Sequence, residues 1–345
     1  MQLTITRPDD WHLHLRDGRG MADVVAHSAR SFARAIIMPN LQPPVTTVSE
    51  AAAYRERILA ALPPGADFEP LMTLYLTDLT TREEIGRAAA DSRVAAVKLY
   101  PAGATTNSEA GVTDLELVLP VLAEMREHEL PLLVHGEVVD PEVDVFDREK
   151  VFIERVLDPL VERLPGLRVV FEHITTREAV AWVLDAPPTV GATITPHHLL
   201  LDRNAIFAGG LNPHHYCLPV LKRGRHREGL VWAATSGNPR FFLGTDSAPH
   251  PRTTKEAGHG CAGIFSAHAA LELCAEVFDG AGALDRLEGF VSHHGADFYR
   301  LPRNSGSVTL ERHEWEVPAA YPFGDQELVP LRAGEKVGWQ LVDEV

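Results

Sequence analysis

The sequence predicts an α/β protein, a (β/α)8 TIM barrel with a short C-terminal extension. Two observations support this fold class. Short apolar segments typical of parallel strands alternate with amphipathic helical segments, and eight apolar segments occur, which is the number of strands in such a barrel. A doubly wound open sheet is the alternative that the same alternation allows. No low-complexity linker divides the 345 residues, so we expect a single barrel domain over 1–345.

The predicted strands are short apolar runs bounded by turn residues or by helical segments. Several are rich in the β-branched and aromatic residues that favour extended structure. In chain order they cover 11–15, 34–38, 70–75, 94–98, 131–135, 167–171, 190–194 and 240–244.

Amphipathic segments between most of these strands predict helices. Several begin with a capping box, in which a hydroxyl and a glutamate three residues later bind free backbone N–H groups. These pairs are Thr81 with Glu84, Thr113 with Glu116, and Thr175 with Glu178. From about residue 306 the pattern changes to short extended pieces with turns, which we expect to pack on the barrel. The predicted helices cover 49–62, 81–91, 113–129, 147–164 and 175–184.

The net charge of the chain limits the kinds of molecule that we expect it to bind. With 48 acidic and 32 basic residues the formal net charge is −16, which argues against a nucleic-acid or anionic membrane partner. No apolar run is long enough for a membrane span, and residues 1–4 lack the features of a signal peptide. We therefore expect a cytoplasmic protein that acts on a small molecule. The cysteines, at 217, 261 and 274, are predicted to be packed or reduced thiols.

The segment 11–18 is the first candidate for chemistry. Alternation along a strand places the side chains of His12 and His14 on the same face, because strand side chains repeat every two residues. Two imidazoles that converge from one side suit a zinc ion. The alternative interpretation is a half-buried strand whose two histidines are hydrogen-bonded.

Further polar residues follow other predicted strands. In a barrel the active site lies at the carboxyl ends of the strands. His135 and His173 could instead cap backbone groups, and Asp246 could begin a short helix. Lys98 is harder to explain as structural, because the chain has only five lysines against 27 arginines and a buried charge is costly. A desolvated lysine can lose its proton, and beside a metal it could capture carbon dioxide as a carbamate.

Three histidine doublets are set aside. Neighbouring residues on a strand point to opposite faces, so a doublet rarely binds one metal through both rings. These pairs are His197-His198, His214-His215 and His293-His294.

Segments along nearly the whole chain resemble the amidohydrolase superfamily, and within it the short bacterial dihydroorotases. The chain departs from the related pattern at His197, where a different polar residue is usual, and at Gly103, where asparagine is usual. The departures could change loop motion or rim charge. The segments that carry the resemblance are DWHLHLRD at 10–17, IMPNL at 37–41, PPVT at 43–46, KLYP at 98–101, ATTN at 104–107, PLLVHGE at 131–137, FEHITT at 171–176, LP at 218–219 and LGTDSAPH at 243–250.

The resemblance implies a site with two zinc ions. One would be bound by His12, His14 and Asp246, the other by His135 and His173, with Lys98 as N6-carboxylysine bridging both. A bridging hydroxide would attack the ring carbonyl of (S)-dihydroorotate, and Asp246 would move the proton. The reaction interconverts dihydroorotate plus water with N-carbamoyl-L-aspartate in pyrimidine biosynthesis. The family also implies a homodimer.

The resemblance further implies which residues contact the substrate. Arg16, Asn40 and His250 would bind its carboxylate, and Leu218 and Ala262 would contact the ring. Arg16 also follows His14 by two residues, so an extended segment would place its guanidinium on the same face. A mobile loop would carry the remaining two contact residues, Thr105 and Thr106.

Two other functions share parts of this pattern. A hydantoinase-like or dihydropyrimidinase-like cyclic amidase would have the metal centre but no carboxylate for Arg16 to bind. A non-catalytic scaffold of the same family would lack Lys98 or a ligand histidine, and all are present. An NAD-binding protein would need a glycine-rich turn after the first strand, and none occurs there.

Overall fold

The structure, a computed structural model, describes residues 1–342 and contains a barrel of eight parallel strands that follow one another in chain order. The first and last strands are joined by backbone hydrogen bonds, from Asp246 to the carbonyl of His12 (2.9 Å) and from His14 to that of Ser247 (3.1 Å). The (β/α)8 prediction is confirmed. Strand β1 (Gln2–Thr6) precedes the barrel, whose strands are β2 (Asp9–Leu13), β3 (Arg34–Ile37), β4 (Glu69–Tyr75), β5 (Val94–Leu99), β6 (Leu132–Val134), β7 (Val169–Phe171), β8 (Val190–Ile194) and β9 (Phe241–Leu243).

Each predicted strand coincides with a barrel strand, although some ends are displaced. The first shift is the largest, because β2 ends at Leu13 and leaves His14 beyond it. The pairing of β2 with β3 is irregular between Asp10 and Leu13. A bulge of this kind redirects side chains. Trp11 consequently packs inside the barrel, while His12 next to it lines the cavity above.

Helices surround the barrel, and the five predicted ones are present. The predicted helix over 147–164 consists of α5, a π-helical segment Ile153–Leu157 and α6 in direct succession. Six further α-helices within residues 1–342 were not predicted. The helices are α1 (Met21–Ser31), α2 (Val48–Ala61), α3 (Arg82–Ala90), α4 (Leu115–Glu127), α5 (Arg148–Phe152), α6 (Asp158–Arg163), α7 (Arg177–Asp185), α8 (Pro196–Leu200), α9 (Gly224–Thr235), α10 (Arg252–Lys255), α11 (Ala270–Gly280) and α12 (His294–Tyr299).

Two of the three predicted capping boxes are wrong by one residue. Helix α3 does begin after Thr81, whose hydroxyl accepts from the N–H of Glu84, but this box is only half formed because the Glu84 carboxylate accepts from the N–H of Val48. Helix α4 is capped by Asp114, because the hydroxyl of Thr113 donates instead to Asp78 (2.6 Å). Helix α7 is capped by Thr176. The hydroxyl of Thr175 binds a buried carboxylate on α5 instead.

The C-terminal segment forms short strands that lie against the barrel layer. Strand β10 pairs with β1 on one side and with β15 on the other, so the two ends of the chain share one antiparallel sheet. Trp339 and Leu341 are buried in the main core between the barrel and its helices. The remaining strands are β10 (Ser307–Glu311), β11 (Trp315–Glu316), β12 (Tyr321–Phe323), β13 (Gln326–Leu328), β14 (Lys336–Val337) and β15 (Gln340–Val342).

Apolar side chains fill the interior of the barrel at the end opposite the carboxyl termini of its strands. Trp11 stacks on Tyr299 of α12 with 4.6 Å between ring centroids, and Phe242 packs edge-on against both rings. Ala96, Leu133 and Val170 belong to the same interior cluster. The open end is therefore the one at the carboxyl termini of the strands. Within residues 1–342, no helix has both the length and the apolar character needed to cross a membrane.

Candidate active site

The alternation of side chains along the barrel strands places polar residues at the open end of the barrel. Ala96, Leu133 and Val170 face the interior, and the residue two positions later on a strand faces the same way. Burial at these later positions is nearly complete. The residues concerned are Lys98, His135 and Glu172.

Three metal-ligating side chains meet where the barrel closes. The Nε2 atoms of His12 and His14 are 3.2 Å apart. Oδ1 of Asp246 lies 3.4 Å from Nε2 of His12 and 3.2 Å from Nε2 of His14. The sequence prediction that the two imidazoles share one face is consistent with this contact. The three donor atoms form a compact triangle at the base of the cavity.

His135 and His173 continue this cluster across the barrel. Ring centroids of His173 lie 5.0 Å from His12 and 4.9 Å from His135. Nδ1 of His173 is buried and has no hydrogen-bond partner within residues 1–342. Nε2 of His135 interacts with Oε2 of Glu137 at 2.9 Å. The four histidines predicted as ligands are thus neighbours around one space.

Lys98 lies below the histidines and is fully buried. Its ammonium group pairs with Oε2 of Glu172, whose Oε1 lies 3.0 Å from Nδ1 of His12. Burial lowers the pKa of Lys98 well below its usual range. The neutral amine is therefore more accessible here than on a surface lysine, and this is the form that reacts with carbon dioxide.

The donor set fits a cation. The carboxylate of Glu172 favours the His12 tautomer with its proton on Nδ1, which leaves the lone pair of Nε2 facing the carboxylate of Asp246. Two such electron-rich atoms at 3.4 Å repel each other unless a proton or a cation lies between them. Burial also lowers the pKa of His12, His14 and His173, which favours the neutral imidazoles that bind metals.

Asp10 holds the two halves of the triangle together. Oδ1 of Asp10 accepts from the N–H groups of His12 (3.1 Å) and Thr245 (2.8 Å), and Oδ2 accepts from the hydroxyl of Thr245 (2.6 Å). These bonds link β2 to the segment after β9. A Cβ at Gly244 would lie 2.9 Å from Cβ of His12, so glycine permits this close approach.

Several site residues adopt the left-handed backbone region. Arg16 has a φ of 61°, His173 of 42° and Asp246 of 44°. Residues other than glycine rarely adopt these angles, and such strain concentrates at functional sites. The expectation of an extended segment through Arg16 is therefore wrong, because the chain turns there. The guanidinium nevertheless lies beside the ring of His14, with 3.4 Å between Nη1 and Nδ1.

The cavity above the triangle is small, with a volume of about 20 Å³. Lys98 and His250 were predicted as site residues, but neither lines the cavity. Lys98 lies beneath it, and Nε2 of His250 lies 2.9 Å from Nη2 of Arg16. Tyr100, Ala248 and Gly263 also line it. The other predicted residues that line the cavity are His12, His14, Arg16, Asn40, Thr105, Thr106, His135, His173, Leu218, Asp246 and Ala262.

The loop with Thr105 and Thr106 lies over this cavity. The side-chain amide of Asn40 donates to the carbonyl of Thr106 (2.9 Å), and the hydroxyl of Thr106 donates to the carbonyl of Ala262 (3.3 Å). Gly103 precedes the loop with a φ of 80°. Glycine and asparagine are the residues that best tolerate this angle, which accounts for the departure at this position.

The site also contains residues that the sequence analysis did not identify as functional. They are Asp10, Glu137, Glu172 and Tyr100. The period-two rule that selects Lys98 and His135 would also have selected Glu172, which lies two residues after the inward Val170. Nothing in the local pattern distinguishes Asp10 from an ordinary strand residue. Its partner Thr245 is 235 residues away.

Comparison with known proteins agrees with the geometry. Residues 9–311 match the amidohydrolase family model. A curated dihydroorotase from Laribacter hongkongensis is 68% identical over 340 residues, which is 98% of this chain and 99% of the relative.

Two solved structures distinguish similarity to dihydroorotases from similarity of fold alone. The dihydroorotase of Saccharomyces cerevisiae, crystallised with 5-fluoroorotic acid, superposes with a TM-score of 0.92 at 34% identity and covers 99% of both chains. The L-hydantoinase of Arthrobacter aurescens has a TM-score of 0.81 at 16% identity over 98% of this chain and 82% of its own, which shows a shared fold alone. The chain belongs to the amidohydrolase family, and within it to the dihydroorotases.

Proposed function

We propose that this protein is a zinc-dependent dihydroorotase that interconverts (S)-dihydroorotate plus water with N-carbamoyl-L-aspartate, a step of pyrimidine biosynthesis. One observation carries the proposal: four imidazoles, Asp246 and a buried lysine converge at the base of a cavity whose wall holds a guanidinium. The base supplies metal ligands, and the wall supplies a partner for an anionic substrate.

The proposed metal ligands follow from the clusters described above. His12, His14 and Asp246 would bind one zinc ion, and His135 and His173 the other. Lys98 would bridge the two as a carbamate, which forms when neutral Nζ bonds to the carbon of carbon dioxide and one proton is released. When bound, the two cations would acidify a shared water and polarise a ring carbonyl.

Asp246 is placed to carry the proton. Burial raises the pKa of its carboxyl to about 7, and the side chain lines the cavity. In hydrolysis, a C–O bond forms at the ring carbonyl while the C–N bond of the amide breaks. Asp246 would accept the proton from the attacking water and deliver it to the departing ring nitrogen. In the reverse direction the same carboxylate would deprotonate the attacking nitrogen.

Arg16 provides the basis for substrate selection. Its guanidinium borders the cavity, and His250 lies 2.9 Å from its Nη2. A planar guanidinium pairs with a carboxylate through two parallel hydrogen bonds. Asn40 would contact the same carboxylate, and backbone groups of Leu218 and Ala262 the ring. The loop with Thr105 and Thr106 would exclude water over the bound substrate.

The same resemblance supports a homodimer located in the cytoplasm, and both remain predictions. The net charge of −16 fits the absence of a nucleic-acid partner from this proposal.

The test compares three cyclic amides. The purified full chain is assayed for ring opening with dihydroorotate, dihydrouracil and hydantoin, and Asp246→Asn serves as a control for contaminating hydrolases. We expect kcat/KM for dihydroorotate to exceed that of the two uncharged rings by at least about 100-fold, because only dihydroorotate pairs with Arg16. Preference for an uncharged ring would support the hydantoinase-like alternative. No turnover on any ring would support the scaffold alternative.

A further inference from the structure

A second cluster of metal-ligating side chains lies outside the proposed active site. It consists of His197 and His198 on α8 and Cys217, which precedes Leu218. All three are at most 2% exposed. One donor atom from each lies within 4.8 Å of the other two.

The expectation that His197 and His198 point to opposite faces is wrong. Both residues lie in the helix Pro196–Leu200 rather than on a strand. Successive helical residues are separated by only about 100°, so their rings can lie side by side. The ring centroids of His197 and His198 are 4.5 Å apart.

The ring nitrogens of His197 are not satisfied by hydrogen bonds among the described residues. Both of its ring nitrogens are buried and lack a hydrogen-bond partner in the described part of the chain. A neutral imidazole has one donor and one acceptor, and burying both without partners is unfavourable. Buried polar side chains in native proteins are satisfied in most cases. A bound group would satisfy the ring of His197.

The other two residues already have a suitable arrangement. Sγ of Cys217 and Nε2 of His198 lie 3.8 Å apart. Both approach the same acceptor, the carbonyl of Pro219, at 3.3 Å and 3.0 Å. A tetrahedral zinc ion places a sulfur and a nitrogen ligand about 3.6 Å apart. The observed separation is thus close to that of two ligands of one ion.

We propose that His197, His198 and Cys217 bind one soft metal ion, Zn²⁺ or Cu⁺, at a site separate from the proposed active site. Thiolate and imidazole ligands favour these two ions. On binding, the S–H proton of Cys217 leaves to solvent and a sulfur–metal bond replaces it. His198 shifts its proton to Nδ1, where the hydroxyl of Thr195 lies 2.8 Å away and can accept it.

The position of the cluster gives the ion a structural role. Cys217 is bonded to Leu218, which lines the cavity of the proposed active site. An ion held by α8 and Cys217 would fix the turn that presents Leu218. None of the three residues lines that cavity itself, so their removal should leave the reacting groups in place.

Cobalt(II) absorption tests the site without measuring turnover. Thiolate bound to Co²⁺ gives a sulfur-to-metal charge-transfer band in the near ultraviolet, and no ligand of the proposed active site is a thiol. We expect titration of the metal-free full chain with Co²⁺ to produce this band, with saturation at about one thiolate-bound ion per chain. Cys217→Ser should abolish the band. His197→Gln should weaken the affinity for that ion by at least about tenfold.

The matched control is Cys261→Ser, which removes a cysteine outside the cluster and should leave the band unchanged. Absence of the band in the wild type, or its survival in Cys217→Ser, would overturn the proposal. If Cys217→Ser does not fold, His197→Gln decides. Unchanged cobalt affinity in that variant would mean that water satisfies His197. Because the readout is absorbance, a failure of the proposed dihydroorotase activity would not alter it.

Discussion

Arg16 shows how one residue can couple a metal centre to substrate choice. Its left-handed backbone turns the chain just after His14, and the hydroxyl of Tyr54 donates to its carbonyl (2.6 Å), which fixes that turn. The guanidinium is held beside His250 and is half-buried, so its hydration is reduced. A charged group that has already lost water gains more from an anionic ligand than an exposed one does.

Replacement of Arg16 by methionine should separate charged from uncharged ligands. We expect the inhibition constant of 5-fluoroorotate to rise by about 100-fold, because a half-buried charge-assisted pair is lost. The constant for 5-fluorouracil, which lacks the carboxylate, should change by less than about threefold. Competitive inhibition of dihydroorotate turnover measures both. Arg57→Met, which removes an exposed guanidinium paired with Asp17, is the control. Equal losses for the two inhibitors would refute the carboxylate assignment.

At the scale of elements, Lys255 ties together two segments that border the cavity. Its ammonium group is buried and donates to the carbonyls of Tyr216 (2.8 Å), Cys261 (3.0 Å) and Gly263 (2.7 Å). Tyr216 lies two residues before Leu218, and the other two carbonyls flank Ala262. One side chain on α10 therefore fixes both proposed ring contacts.

Lys255→Met should raise KM for dihydroorotate by about tenfold while kcat changes by less than about threefold, because three carbonyls lose their donor but no reacting group is removed. Steady-state kinetics separates the two constants. Lys222→Met is the matched control, since Lys222 is also buried but donates, among residues 1–342, to a single carbonyl, that of Val220. A fall in kcat at unchanged KM would show that Lys255 does not act by positioning the ring contacts.

The helices indicate which local signals the sequence carries. Helices α2, α3, α4 and α7 begin with a side chain that accepts a backbone hydrogen bond, and all four were predicted. Helices α1, α9 and α11 begin without such a cap and were not predicted. Capping is not a complete signal, because α8 also begins with a capping hydroxyl and was not predicted, whereas α5 lacks such a cap and was predicted.

Some site residues are positioned by patterns within one strand, and others by contacts between segments that are distant in sequence. Alternation along single strands and strand order were enough to bring His12, His14, Lys98 and His135 to one end of the barrel. The turn at Arg16 and the bond from Asp10 to Thr245 depend on contacts between segments far apart in sequence. Such contacts leave no periodic signal, so the structure was needed to find them.

At the scale of the whole molecule, a buried histidine links the C-terminal strands to the barrel. His268 packs against Phe265 and against Tyr321 of β12, with ring centroids 5.6 Å and 5.5 Å away. Burial lowers its pKa to about 3, compared with an ordinary value of 6.5. The folded protein keeps this ring neutral, whereas the unfolded chain protonates it below pH 6.5. Its contribution to stability is therefore lost as the pH falls from about 6.5 toward 3.

His268→Phe should make folding less sensitive to acid. Between pH 7.5 and pH 5, the wild type should lose about 2 kcal/mol more free energy of unfolding than this variant, because only the unfolded wild type takes up the extra proton. Urea unfolding at the two pH values measures the difference. His313→Phe replaces an exposed histidine and should behave like the wild type. The same loss in His268→Phe and the wild type would contradict the assignment.

The central claim is that Lys98 builds a two-metal hydrolytic site, and paired zinc and turnover measurements on Lys98→Ala test it most directly. The wild type should carry about two zinc ions in the active site. The variant should lose most of them and at least about 1,000-fold of its turnover of dihydroorotate. Propionate should restore part of both, because it offers two oxygens in the space that the side chain leaves. Lys150→Ala, on the exposed face of α5, is the control. Full zinc content together with full turnover in Lys98→Ala would contradict the account.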